Sequence, residues 1–171
     1  MKKKSPGSAK PKTATDRAVR EHLLYLLGGG GAHVSFDEAI AGIPGELRGV
    51  KPPNTPFTVW RLLEHMRIAQ WDIVEFSIHP NHTSPQWPDG YWPNSDAPAD
   101  EAAWENSVQQ FRRDLERLQS LISDPRTDLY APLAHGDGQT ILREALLVAD
   151  HNAYHLGELV VVRRLLGTWN K

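Results

Sequence analysis

Residues 104–122, WENSVQQFRRDLERLQSLI, carry the clearest periodic pattern in the chain. Their apolar residues are spaced four, three, four, three and four positions apart. That spacing places them along one side of an α-helix, as on the buried seam of a helical bundle. Ser123-Asp124-Pro125 ends the helix, because a proline disfavours helical geometry in the residue before it. The seam residues are Trp104, Val108, Phe111, Leu115, Leu118 and Ile122.

Two further helices are predicted near the start of the chain. The first covers roughly residues 14–27 and ends at the four glycines of residues 28–31, which favour a helix end and a loop. Ser35 and Glu38 then form a capping-box pattern. It predicts a short helix that runs to about Pro44.

A second long helix is predicted to begin at Thr55, a good N-cap, followed by Pro56 at the first helical position. Apolar residues recur at helical spacing until about Ser77. Residues 79–100, HPNHTSPQWPDGYWPNSDAPAD, contain five prolines and two tryptophans. We therefore expect this segment, called the crossover below, to be a long irregular connection.

The last long helix is predicted over about residues 140–166, with Asp137 or Thr140 as its N-cap. Together with the other three long helices it predicts an all-α fold, a four-helix bundle with the crossover between helices two and three. The predicted apolar face of this last helix includes Leu142, Leu146, Ala149, Ala153, Val160 and Leu165.

The composition fits one soluble globular domain. The chain has 171 residues, a net charge of −2 and no cysteine, which excludes disulfides, thiolate ligands and a cysteine nucleophile. The N-terminal segment is rich in lysine and contains no acidic residue. Residues 1–13 are therefore predicted to be a disordered basic tail and residues 14–171 the bundle domain. The acidic remainder disfavours nucleic-acid binding. Since neither a membrane span nor a secretory signal is apparent, we expect a cytoplasmic protein that does not bind membranes.

Two histidines four residues apart, His151 and His155, are candidate metal ligands on the last helix. An α-helix repeats every 3.6 residues, so these side chains share a narrow face with Glu144 and Glu158. Two imidazoles at this spacing can bind one cation on a regular helix. The pair alone is weak evidence, because a buried histidine can also donate to a backbone carbonyl. Asn152 follows His151, so the glutamate of the H-E-x-x-H protease motif is missing.

A third candidate ligand is His65, at the edge of the apolar stripe of the second long helix. Bundle cores commonly hold metals between facing helices. Three neutral imidazoles suit Zn, Ni, Cu or Fe, and they leave one or more positions for water or substrate. The other histidines are expected on the surface or in loops, namely His22, His33, His79, His82 and His135.

Two blocks of the sequence resemble the DinB/YfiT-like family of small four-helix-bundle proteins. They are LLEHMRIAQWDIVEF in the second long helix and LLVADHNAYHLGELVVVRRLLGTW in the last one. The family has a histidine in the first block and the pattern H-x-x-x-H-x-G-[QE] in the second. These positions fall on His65, His151, His155 and Gly157, and the likeness extends over roughly residues 14–169.

The resemblance implies an up-down-down-up bundle with a three-histidine site for a divalent metal, most often Zn or Ni, and a homodimer. Characterised relatives include S-transferases and isomerases that use low-molecular-weight thiols, and others are described as hydrolases. We therefore expect a metal-dependent enzyme acting on a small molecule, with a water or thiol of lowered pKa as nucleophile. Glu158 stands where glutamine is common. It is a candidate either to accept from a ligand imidazole or to serve as a catalytic base.

The alternative is a non-catalytic dimeric bundle that binds a small molecule or a protein partner. Its metal would be structural, or the histidines would hold none. A structural site is normally closed by four protein ligands. Asp72 or Glu158 as the fourth ligand would favour this alternative, whereas an exchangeable ligand there would favour the enzyme.

Overall fold

The computed structural model describes residues 13–169. Within that range the chain forms five α-helices and no β-strand, which confirms the predicted all-α class. Two short 3-10 turns, Gly45–Leu47 and Asp89–Tyr91, lie in the connections. The helices are α1 (Ala14–Leu27), α2 (Phe36–Ile40), α3 (Val59–Ile78), α4 (Glu101–Ser123) and α5 (Ile141–Leu165).

The first helix, α1, begins and ends where its sequence pattern predicts, and α4 ends as predicted at Ser123 but begins at Glu101, before the first seam residue Trp104. Thr13 is the N-cap of α1, and its side chain accepts a hydrogen bond from the Asp16 amide (3.1 Å). Residues 1–12, most of the predicted tail, lie outside the described residues. In the α4 seam, Trp104, Val108, Phe111, Leu118 and Ile122 are buried and Leu115 is partly buried, as expected.

The N-terminus of α3 corrects one prediction. Thr55 and Pro56 precede the helix, and Thr58 is its N-cap, accepting from the Arg61 amide at 3.1 Å. The Thr55 hydroxyl instead donates to the carbonyl of Pro52 (2.9 Å). Because that hydroxyl is used in the preceding turn, the helix begins one turn later than the first favourable cap.

Two other helix ends also refine the predictions. Ser35 and Glu38 form the predicted capping box, but α2 ends at Ile40, well before Pro44. It ends there because Ala41 is extended, with φ −64° and ψ 134°. At the start of α5 the cap is Thr140, one of the two candidates.

The buried face of α5 differs from the predicted apolar face. Leu146 and Leu165 are 48% and 57% exposed, so they do not belong to the core. The helix is apolar on nearly every side, and periodicity alone therefore selects no face. The buried residues of α5 include four polar ones at inward positions, Glu144, Asn152, His155 and Arg163.

The long helices pack in a defined set of neighbours. Both α4 and α5 pack against α3, and the same two helices pack against α1. The short α2 packs against α5. Among the helices described, none is both long and apolar enough to span a bilayer. The packing brings together the two helices that carry the candidate ligands, α3 and α5.

Candidate metal centre

Three histidines from two helices meet at one point in the bundle. His65 lies on α3, and His151 and His155 lie one turn apart on α5. One ring nitrogen from each can be chosen so that all three lie within 4.8 Å of one another. The Nε2 atoms of His65 and His151 are 3.1 Å apart. The structure thus brings together the three histidines that the sequence predicts as ligands.

The His65 ring is held on two sides. Its Nδ1 lies 2.8 Å from the carbonyl oxygen of Tyr91, which can only accept, so Nδ1 carries the hydrogen and Nε2 keeps its lone pair. The indole of Trp92 stacks on the imidazole, with ring centroids 3.8 Å apart and planes 2° from parallel. Both contacts come from the crossover. They fix which nitrogen of His65 can bind a cation.

His155 is oriented by a carboxylate on its own helix. Its Nδ1 lies 2.7 Å from Oε2 of Glu158, one turn further along α5. A carboxylate accepts the Nδ1 hydrogen, so Nε2 is again the nitrogen with the lone pair. Burial raises the pKa of Glu158. Glu158 therefore contacts the ring nitrogen of His155 that does not have the free lone pair.

The three imidazoles are neutral at physiological pH. Desolvation is the largest cause that lowers the pKa of His65. It also lowers the pKa of His151 and of His155 to about 4, with neighbouring histidines adding a smaller electrostatic effect. A neutral imidazole has a lone pair to donate, so burial keeps the cluster in the state that binds metals.

The crossover segment that holds His65 is itself held by a buried carboxylate. Asp72, only 7% exposed, accepts from the Tyr91 hydroxyl (2.6 Å) and lies 2.7 Å from Nε2 of His82. Desolvation and the bond to Asp72 raise the pKa of Tyr91 to about 12. Both carboxylate oxygens of Asp72 thus contact crossover residues. Asp72 therefore does not take the place of a fourth metal ligand, as the non-catalytic alternative would require.

The other acidic residue on the histidine face of α5 does not join the cluster. Glu144 is 2% exposed, and Arg143 donates to it at 2.8 Å. The remaining histidines lie apart from the three candidate ligands as well. His22 is exposed on α1, whereas His82 and His135 are partly buried loop residues.

Three neighbours of the cluster could not be identified from the sequence. A backbone carbonyl such as that of Tyr91 is present in every residue, so no pattern marks it as an acceptor. Trp92 belongs to an irregular segment in which periodicity gives no orientation. Asn152 lies between the two histidines of α5, and its buried amide bonds to Gln70 of α3 (2.9 Å).

Comparison with known proteins identifies a family. A family model described as the DinB superfamily matches residues 32–159. The matched range includes all three histidines and Glu158. No curated protein matches the chain, and no solved structure does.

Proposed function

Since the chain belongs to the DinB superfamily, we propose that it is a metal-dependent enzyme with a divalent cation held by His65, His151 and His155. The reaction would be hydrolysis or transfer to a low-molecular-weight thiol. One observation supports the proposal above all: three neutral imidazoles place nitrogens within 4.8 Å of one another. Two of them already have Nδ1 hydrogen-bonded to an acceptor.

The donor set fits a zinc or nickel ion. Zinc–nitrogen bonds of about 2.0–2.1 Å in a tetrahedral site put two ligand nitrogens roughly 3.3 Å apart. The 3.1 Å between the Nε2 atoms of His65 and His151 is close to that separation. Three protein ligands leave a position for an exchangeable ligand. The cation would supply Lewis acidity, which lowers the pKa of a bound water or thiol.

The protein's own residues would orient the ligands and exclude water around them. The Tyr91 carbonyl and the Trp92 indole hold the His65 ring, and Glu158 holds His155. The bond from His155 supports an orienting role for Glu158. Its other predicted role, as a catalytic base, would fall to Oε1, because Oε2 accepts from His155.

Three finer features belong to the same proposal and are supported by family membership. They are the up-down-down-up order of the long helices, a homodimer, and a low-molecular-weight thiol as cosubstrate. A cytoplasmic location, and the absence of nucleic-acid and membrane partners, also remain predictions.

Metal content tests the proposal directly. We expect elemental analysis of untagged protein to find about one Zn or Ni ion per chain. His65→Ala, His151→Ala and His155→Ala should each lose that ion, whereas His22→Ala, which changes an exposed histidine of α1, should retain it. Circular dichroism would show that the variants are folded. Full retention of metal by all three single variants would overturn the assignment.

Thiol chemistry can be tested by cobalt substitution. Cobalt-loaded protein should show a new thiolate-to-cobalt absorption band when a low-molecular-weight thiol is added, because the exchangeable position is open to the thiol. The metal-free protein supplies the matched blank. Hydrolysis and thiol-transfer substrates would then be screened with loaded and metal-free protein. A spectrum unchanged by thiols would favour hydrolysis or a closed structural site.

A second candidate function is small-molecule binding without catalysis. A cleft of about 280 Å³ lies among α1, α2, α4 and α5. Its lining includes Phe36, Phe111 and Leu156, and none of the three histidines contributes to it. A compound that stabilises the metal-free His151→Ala variant as much as the wild type would support this alternative.

A further inference from the structure

For His151, the third imidazole of the cluster, no acceptor of the Nδ1 hydrogen has been named so far. His151 contacts His65 through Nε2, so Nδ1 is the ring nitrogen on the other side. A histidine that ligates a metal through Nε2 almost always donates its Nδ1 hydrogen to an acceptor. The Tyr91 carbonyl and the Glu158 carboxylate serve His65 and His155 in this way. An acceptor is therefore needed near His151.

A buried acceptor without a partner lies on the next residue. Oδ1 of Asn152 has no hydrogen-bond partner within the described chain, and the residue is 9% exposed. A buried acceptor left without a donor costs free energy, so it calls for an explanation. Asn152 directly follows His151 on α5, and no hydrogen bond joins its Oδ1 to the imidazole.

The orientation of the Asn152 amide follows from its neighbours. Nε2 of Gln70 donates to the backbone carbonyl of Phe111 (2.7 Å), which fixes Oε1 of Gln70 as the acceptor for Asn152. Nδ2 of Asn152 donates to that oxygen at 2.9 Å. Exchanging the oxygen and nitrogen of either amide would set donor against donor or acceptor against acceptor. Oδ1 is thus the atom of Asn152 that remains for His151.

We propose that Asn152 is a positioning residue for the metal site, whose Oδ1 accepts the Nδ1 hydrogen of His151 when a cation is bound. The inference rests on the proposed function. Gln70, only 1% exposed, holds the amide in place from α3. The hydrogen-bonded series from the Phe111 carbonyl through Gln70 and Asn152 would link the core of the bundle to the third ligand. Each of the three imidazoles then has an acceptor of a different chemical kind.

The series also explains why polar side chains occupy this part of the core. Gln70 and Asn152 are almost fully buried, at positions where apolar residues would otherwise pack. Two amides joined to one carbonyl still leave one acceptor without a donor, so the pair is incomplete as a purely structural device. A donor from His151 completes it.

The test compares two substitutions of nearly the same size. Asn152→Leu removes the acceptor, and we expect zinc to bind about 10–100-fold more weakly, measured by competition with a chromophoric chelator. Asn152→Asp keeps an acceptor for His151 but loses the donor to Gln70. It should lower thermal stability while zinc affinity stays within a few-fold of wild type. Asn106→Leu, at an exposed position of α4, is the matched control.

Nitrogen-15 NMR supplies a readout that a merely structural role would not move. In zinc-loaded wild-type protein, His151 should be the Nδ1–H tautomer with a slowly exchanging ring proton. That proton should exchange rapidly in Asn152→Leu. If zinc affinity follows thermal stability in both variants, or if the His151 signal is unchanged in Asn152→Leu, the inference is wrong although the metal site stands. A wild-type protein that binds neither zinc nor nickel would overturn the proposed function and the inference with it.

Discussion

Hydrogen bonds at Nδ1 determine which ring nitrogen two histidines of the cluster can offer to a cation. His65 and His155 donate from Nδ1 to different acceptors, a backbone carbonyl and a carboxylate. In both rings Nε2 therefore keeps its lone pair. The spacing of His151 and His155, the place of His65 on its helix and the family resemblance together predicted which residues meet. It could not predict their tautomers, because the acceptor for His65 comes from Tyr91, 26 residues along the chain.

Replacing Tyr91 with phenylalanine tests whether its hydroxyl group helps to hold the segment that orients His65. Tyr91→Phe removes the donor to the buried carboxylate of Asp72, and hydrogen bonds to charged groups contribute about 1.5–3 kcal/mol. We expect the free energy of unfolding in urea to fall by about that amount. Zinc should also bind more weakly, because the Tyr91 carbonyl that orients His65 is less firmly held.

The control for this variant is another tyrosine. Tyr130 is 47% exposed, and Tyr130→Phe should leave both stability and zinc affinity near wild type. A Tyr91→Phe protein with unchanged unfolding and unchanged zinc affinity would mean that Asp72 does not hold the crossover against α3.

Among the helices, α3 shows how a local cap and a distant contact combine. The Thr58 hydroxyl accepts from the Arg61 amide and donates to the carbonyl of Asp96 in the crossover (2.7 Å). The sequence contains two threonines of similar cap quality, and propensity favours Thr55 because a proline follows it. The contact with Asp96 is long-range, so a local rule could not identify Thr58 as the cap.

Two alanine variants separate these caps. Thr58→Ala should lower the free energy of unfolding by about 1–2 kcal/mol, since it removes an N-cap and a buried hydrogen bond. Thr55→Ala should cost about 0.5 kcal/mol or less, because its partly buried hydroxyl serves only a turn. Urea denaturation of both proteins provides the measurement. A larger loss for Thr55→Ala would place the start of α3 at the earlier threonine.

At Gly157 of α5, by contrast, we expect a substitution to stabilise the protein. A side chain built there meets no atom within 4 Å, so packing within the chain does not require glycine. Glycine inside a helix is less stable than alanine by about 0.5–1 kcal/mol. We expect Gly157→Ala to raise the free energy of unfolding by that amount, measured by thermal and urea denaturation.

Gly29 provides the control for the Gly157 variant. Gly29 has a φ of +82°, and an added Cβ would lie 3.0 Å from Cβ of Ser35, so Gly29→Ala should destabilise. If Gly157→Ala also destabilised the protein, a molecule packed on the exposed side of α5, such as a second copy of the chain, would be the explanation. Size-exclusion chromatography of the variant would then show a changed oligomeric state.

For the whole molecule, the sequence predicted helices better than faces. The pattern of α4 was strict, and its seam is buried as expected. That of α5 was not, because Leu146, Val161 and Leu165 place apolar residues on the exposed side as well. Among the polar residues buried on α5, Asn152 donates a long-range hydrogen bond to Gln70, 82 residues away. Such pairs exist only once α3 and α5 have packed together.

Packing of α3 against α5 also makes the stability of the whole metal-free protein depend on pH. Burial lowers the pKa of His151 and His155 to about 4, below the ordinary value of 6.5. The unfolded chain therefore binds protons more readily than the folded protein in this range. The stability gained from neutral imidazoles is fully present above pH 6.5 and is lost as the pH falls toward 4.

Urea denaturation of chelator-treated protein between about pH 7 and pH 5 measures this dependence. Carboxylates also titrate in acid, so the comparison is with the double variant His151→Gln and His155→Gln, in which two imidazoles no longer take up protons. We expect wild-type stability to fall more steeply with decreasing pH than that of the double variant. Parallel pH profiles for the two proteins would contradict the burial of neutral imidazoles. Zinc at saturating concentration should raise wild-type stability but leave the slope of its profile nearly unchanged in this range, because His151 and His155 of the folded protein carry few protons with or without the metal.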